Sequence, residues 1–122
     1  MTMEYIRRGA SPSAPYVSGV VADGRLVFVS GQTPTRHGEV VAGTIAEQTE
    51  LVMANMSAIL DAAGAALSDV VRCGVFLADL ADLPEFNEAY VRAFGTRVPA
   101  RTAVGANLPG YGVEIDCIAA IT

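Results

Sequence analysis

Apolar positions along the chain alternate between two spacings, and the changes of spacing mark its elements. Tyr5-Ile6 opens a short strand, followed by a Ser11-Pro12-Ser13-Ala14-Pro15 loop. Strand-like runs at 17–21 and 26–30 flank Asp23-Gly24, a pair suited to a type I′ hairpin turn, whose two central residues both need positive φ. A third strand piece around Val40-Val41 follows the turn marked by Gly38. The spacing then becomes helical. Thr44-Ile45-Ala46-Glu47 has the form of a capping box, with Thr44 at the N-cap and Glu47 three residues on. Ile45, Val52, Met56, Ile59 and Ala63 form one stripe, and Gly64 suits the end of this helix. Residues 70–77 read as a strand that is apolar on both faces. Asp82-Leu83-Pro84-Glu85 repeats the capping pattern with Pro in the first turn. Leu83, Phe86, Tyr90 and Phe94 make its buried stripe, and Gly95 ends it. The last strands fall at 100–104 and 113–121.

The order β-β-β-α-β-α-β-β predicts an α+β fold, a mixed sheet with two helices packed on one face. With no repeat, linker or low-complexity tract, residues 1–122 read as one domain, large enough to bury roughly 65–70% of its unfolded surface. In the final strand Val113, Ile115, Cys117, Ala119 and Ile121 share one face. Glu114, Asp116, Ile118 and Ala120 share the other, which is also partly apolar. Helices cover one side of such a sheet, so a further subunit is expected on the other. A hydrophobic content of 52% and a mean hydropathy of +0.39 point the same way, since a small monomer leaves little room to hide so much apolar surface.

Charge narrows the chemistry. All 8 basic residues are Arg, which excludes a lysine Schiff base and a Walker A lysine. Thirteen acids bring the net charge to −5, which argues against a general nucleic-acid surface. The single histidine, His37, lies in the turn-like Thr35-Arg36-His37-Gly38-Glu39, a poor foundation for a histidine nuclease or a nucleophile triad. Cys73 and Cys117 lack CxxC spacing and fall in apolar runs, so they read as buried free thiols rather than a disulfide or metal ligands. The least interrupted apolar stretch, 59–67, contains Asp61 and is too short to span a bilayer. Met1-Thr2-Met3-Glu4-Tyr5 lacks the layout of a signal peptide, so a cytoplasmic location is expected.

Two charges stand out because they interrupt apolar runs: Arg101 in Val98-Pro99-Ala100-Arg101-Thr102-Ala103-Val104, and Glu114 in Gly112-Val113-Glu114-Ile115-Asp116. A charge placed there needs a partner or a ligand. Composition and spacing leave two readings open. One is a structural salt-bridge network, for which Arg72 offers a second cation facing Asp116 or Glu114. The other is the two halves of an anion-handling site.

Pro15-Tyr16-Val17-Ser18-Gly19, Val29-Ser30-Gly31-Gln32-Thr33-Pro34, Phe86-Asn87-Glu88-Ala89-Tyr90, Pro99-Ala100-Arg101 and Val113-Glu114-Ile115-Asp116 follow one another in an order that resembles the reactive-intermediate deaminase family, also called RidA or YjgF-like. The resemblance covers nearly the whole chain. It implies a chorismate-mutase-like subunit and a homotrimer with a central β-barrel, with clefts between neighbouring subunits. The implied activity is hydrolysis of enamines and imines such as 2-aminoacrylate and 2-iminopropionate to 2-keto acids and ammonia, with no metal and no organic cofactor. Arg101 matches the family arginine that grips the substrate carboxylate, and Glu114 the glutamate that positions or activates water. Ala103 stands where a backbone N–H helps hold the carboxylate. Tyr16, Ser30 and Gly31 match cleft residues, with Asn87 nearby. The resemblance further implies that Tyr16, Ser30 and Gly31 come from the neighbour of the subunit that supplies Arg101 and Glu114. The chain departs from the family pattern at Thr102 and in the Leu108-Pro109-Gly110-Tyr111-Gly112 segment, where Tyr111 replaces the usual Lys or Asp. The expected partners are a small 2-imino or 2-keto acid and further copies of the chain, without nucleic acid or membrane. Two other functions stay open: a pathway-specific deaminase of the aminomuconate type, and a non-catalytic 2-keto-acid-binding regulator. A binder needs only the arginine, so the presence of both Arg101 and Glu114 favours catalysis.

Overall fold

The central sheet has the strand order β3-β8-β6-β7 in a computed structural model that describes residues 3–122. In chain order the elements are β1 (Glu4–Ile6), β2 (Gly19–Val21), β3 (Arg25–Gln32), β4 (Thr35–Arg36), β5 (Glu39–Val40), α1 (Ile45–Ala62), β6 (Val70–Leu77), α2 (Leu83–Phe94), β7 (Ala100–Gly105) and β8 (Val113–Ile121). Only β6 and β7 run parallel within the sheet, joined by α2 as the crossover. This is the expected α+β arrangement, with both helices on one side.

Three local expectations are corrected. Asp23-Gly24 closes no hairpin: β2 pairs with β1, while β3 pairs with β8. Gly24 has φ +117°, and a Cβ there would run into the Ile121 carbonyl, so this glycine lets the chain pass the end of β8. The hairpin turn with two positive φ values is His37-Gly38 (54° and 80°), between β4 and β5. Asp82 does not cap α2. Its backbone is already helical because Leu80–Asp82 forms a 3₁₀ turn, whose own cap is Asp79 accepting from the Ala81 N–H at 2.9 Å. Glu85 instead accepts from the Ala46 N–H of α1 at 3.1 Å, tying the starts of the two helices together. The third correction concerns α1, whose buried arc runs through Thr49, Val52, Met56 and Leu60 and leaves Ile59 on its exposed rim.

The capping box at Thr44 forms as read: its hydroxyl accepts the Glu47 N–H at 3.1 Å, and the Glu47 carboxylate accepts the Thr44 N–H at 2.8 Å. Between helices and sheet, Val52, Met56, Leu60, Phe86 and Tyr90 pack on Cys73, Val75, Leu77, Val113 and Ile115, all at 0% exposure. Fully burying such side chains stabilises the fold by about 1.5–3 kcal/mol each. Among the described residues nothing comparable covers the opposite face of the sheet. That face presents Leu26, Phe28 at 70% exposure, and Val104. Among the described residues, no helix is long and apolar enough to cross a membrane.

Candidate functional site

Arg101 sits on the edge strand β7, in register with Cys73 of β6, which is in turn in register with Cys117 of β8. That row faces the helices. The Arg101 guanidinium therefore enters the space between β7 and α2, where its carbon lies 5.0 Å from the Tyr90 ring centre, 5.7 Å from Phe86 and 5.6 Å from Tyr16. Such cation–π contacts favour a guanidinium, whose planar and weakly hydrated cation stacks where an ammonium does not. Its Nη1 donates to Asn87 Oδ1 of α2 at 2.8 Å. Burial pulls its pKa below the usual value. Among the described residues no carboxylate lies within 4.0 Å of Arg101 or Arg72; the ion pair found there is the exposed Arg92–Glu50 contact at 3.8 Å. Asp116 accepts the Gly74 N–H at 2.9 Å instead. The salt-bridge reading therefore lacks its pairs, and Arg101 has donors to spare for an incoming anion.

Glu114 lies three register rows further along β8, opposite Phe76. Neighbours along a strand point to opposite faces. Since Ile115 and Cys117 face the helices, Glu114 and Asp116 face away from them. Here β3 carries a bulge: Val29 pairs with Cys117 and Gln32 with Ile115, so Ser30 and Gly31 stand against Asp116 alone. A Cβ at residue 31 would collide with Oε2 of Glu114, so glycine leaves the carboxylate its place. An open depression of about 340 Å³ beside the bulge is lined by Phe28, Ser30, Gly31, Arg72, Asp116 and Ile118. Oε1 of Glu114 accepts a hydrogen bond from the Tyr111 hydroxyl at 2.9 Å.

The residues singled out in the sequence thus form two groups in one chain. Tyr16, Asn87 and Arg101 meet on the helix side, with Ala103 two residues further on the same face of β7. Ser30, Gly31 and Glu114 meet on the bare side. Arg101 and Glu114 do not share a cleft within the subunit. The division implied by the resemblance changes accordingly: Tyr16 belongs with the Arg101 of its own chain, brought there because the Val17 N–H reaches the Pro99 carbonyl at 3.3 Å and Val17 bridges to Ala100. Sequence reasoning counted Phe86 and Tyr90 as core only. Their i, i+4 spacing on α2 places both rings on one face of that helix, and the register of β7 on β6 brings Arg101 against that face.

Cys73 and Cys117 are buried free thiols, and burial pushes both up to about 12. Tyr90 is driven upward by burial and then by the Cys73 thiol, and its hydroxyl has no hydrogen-bond partner among the described residues. Neither thiol is an available nucleophile at neutral pH. Among the described residues there is no cluster of three or more His, Cys, Asp or Glu side chains able to hold a metal.

Comparison with known proteins identifies the family. The family described as Endoribonuclease L-PSP matches residues 7–121. The chain belongs to the Rid (YjgF/RidA) family. A RutC family protein of Pyrococcus abyssi is 44% identical over 119 residues, covering 94% of this chain and 93% of the relative. The putative regulator AldR of Lactococcus lactis is 40% identical over 125 residues, covering 98% of each. Among solved structures, a Rid family protein of Yersinia pestis superposes with a TM-score of 0.85 at 28% identity, covering 99% of this chain and 100% of the other. Rid membership accounts for the two helices on a mixed sheet and for the order of the motifs along the chain.

Proposed function

We propose that this Rid protein is an enamine/imine deaminase, working in the cytoplasm as a homotrimer on small 2-imino acids such as 2-iminopropionate. The observation that carries this reading is the state of Arg101: half-buried, walled by three rings, held through one prong by a neutral amide, and free of any carboxylate among the described residues. A planar fork of this kind matches a carboxylate in two places at once. The trimer is supported by the uncovered apolar face of the sheet. It is supported also by the separation of Arg101 from Glu114, which a second copy of the chain can overcome by bringing its own bare face to the arginine.

The chemistry follows from the groups. Arg101 takes the substrate carboxylate and so fixes the adjacent C=N carbon. Glu114 of the neighbouring copy holds a water against that carbon. As the water oxygen forms its bond to carbon, the C=N electron pair moves to nitrogen, which takes up a proton, and Glu114 takes the proton lost by the water. The resulting carbinolamine returns to a carbonyl: Glu114 gives its proton to the amine nitrogen, the C–N bond breaks, ammonia leaves, and the hydroxyl proton is lost. General acid–base help of this sort is typically worth ~10²–10⁴-fold.

The Lactococcus relative's name favours a second reading, in which Arg101 only binds a 2-keto acid and the protein signals. Glu114, held by Tyr111 on the opposite face, is superfluous for that. RNA cleavage, the activity in the family's printed description, lacks support in a chain of net charge −5 whose single histidine sits in the exposed β4–β5 turn. The deciding experiment generates 2-iminopropionate in situ and follows its loss with and without the protein. Faster loss with pyruvate and ammonia appearing together is expected. A rate equal to buffer, with pyruvate still binding, would favour the regulator.

A further inference from the structure

The segment in which this chain departs from its family's pattern ends against Glu114. Tyr111 donates its hydroxyl to Oε1 at 2.9 Å, while Oε2 lies over the bare α-carbon of Gly31. The tyrosine is itself held firmly. Gly110 turns the chain with φ +86°. The next peptide is pinned on both sides, for the Gly112 N–H donates to Gln48 Oε1 at 2.9 Å and the Gly112 carbonyl accepts from the Ala78 N–H at 3.0 Å. Gln48 is buried in α1, and its amide donates onward to the Val41 carbonyl at 3.1 Å. Residue 112 has room only for glycine or a small adjustment, since a Cβ would stand 3.0 Å from Gln48 Oε1 and 3.1 Å from the Ile45 side chain. A buried amide, a pinned peptide and a ring thus aim one neutral donor at one carboxylate oxygen.

We infer that Tyr111 is a positioning residue for the hydrolytic carboxylate, holding Oε1 of Glu114 so that Oε2, over Gly31, is the oxygen that handles water. The inference rests on the deaminase reading and deepens it. A phenol suits this task better than an ammonium group would. It orients the carboxylate without cancelling its charge, and it leaves the second oxygen unpaired. Burial, then the hydrogen bond and the charge of Glu114, raise the phenol's own pKa, so it stays a donor through the neutral range.

Two measurements on the full-length protein test this. Tyr111→Phe keeps the ring and removes the donor; its kcat for 2-iminopropionate should fall by about ten-fold, the scale of one hydrogen bond to a charged group. KM and pyruvate affinity should stay within about two-fold, because Tyr111 touches Glu114 and not the Arg101 fork that takes the carboxylate. Separately, the ultraviolet titration of Tyr111, isolated as the difference between wild type and Tyr111→Phe, should lie above the ordinary tyrosine range and move down in Glu114→Gln. If Tyr111→Phe turns over like wild type, or lowers kcat/KM only through a raised KM and weaker pyruvate binding, the positioning role is wrong while the deaminase reading stands. A Tyr111 titration that ignores Glu114→Gln overturns the contact itself. An inert wild type overturns the deaminase reading, and with it any catalytic role for Tyr111.

Discussion

Arg101→Ala should fold as wild type does and lose imine hydrolysis by about 10²–10⁴-fold, which is the loss of two charge-assisted hydrogen bonds to the substrate carboxylate. Folding is expected to survive because no carboxylate is left stranded: the partners of Arg101 are aromatic faces and the Asn87 amide. Arg101→Lys is the sharper variant. It keeps the positive charge but loses the planar fork and its match to the three rings, so it should recover less than a tenth of wild-type kcat/KM, the scale of one such bond. Steady-state hydrolysis, with far-ultraviolet circular dichroism as a check on folding, reads both. A fully active lysine variant would mean that the site needs a charge and no fork, and carboxylate clamping would be the wrong role for Arg101.

Glu114→Gln should separate binding from chemistry. The amide has nearly the shape of the carboxylate and still offers Tyr111 an oxygen, but it cannot take a proton from water. Turnover should fall by about 10²–10⁴-fold, while calorimetric titration with pyruvate or 2-ketobutyrate should give an affinity close to wild type, since product carboxylate contacts lie with Arg101. An unchanged rate would move the water-holding role to backbone groups and leave Glu114 as a surface residue beside the β3 bulge.

Much of the fold was legible because its signals are local. The Thr44–Glu47 box, the Gly95 stop and the strands at 70–77 and 113–121 depend on residues a few positions apart, and the structure has them where the pattern puts them. The misses are non-local. Asp23-Gly24 has the chemistry of a hairpin turn, but its flanks are taken by other partners, β2 by β1 and β3 by β8. Asp82 lost its capping role to the 3₁₀ turn Leu80–Asp82, which is capped by Asp79. At the site, the parity of β8 already set Glu114 on the face away from Ile115 and Cys117. The face of Arg101 could not be read in the same way. Residues 100–105 do not alternate cleanly, and only the register with Cys73 turns Arg101 towards the helices. Tyr111 was noticed as a departure from the family pattern, but its reach to Glu114 depends on the anchorage of Gly112 by Gln48, 64 positions away in the chain.

The account stands or falls on Arg101 and Glu114 from different subunits meeting in one cleft. Arg101→Ala and Glu114→Gln chains, each inactive alone, should be unfolded together, refolded as a mixture and assayed for 2-iminopropionate hydrolysis. In a mixed trimer, a cleft that takes Arg101 from the Glu114→Gln chain and Glu114 from the Arg101→Ala chain has both wild-type groups. Activity should therefore return to a substantial fraction of wild type, and light scattering should show about three chain masses, as closed threefold symmetry requires. A refolded mixture that forms trimers yet stays as inactive as its parents would show that the two residues do not work together across a subunit boundary.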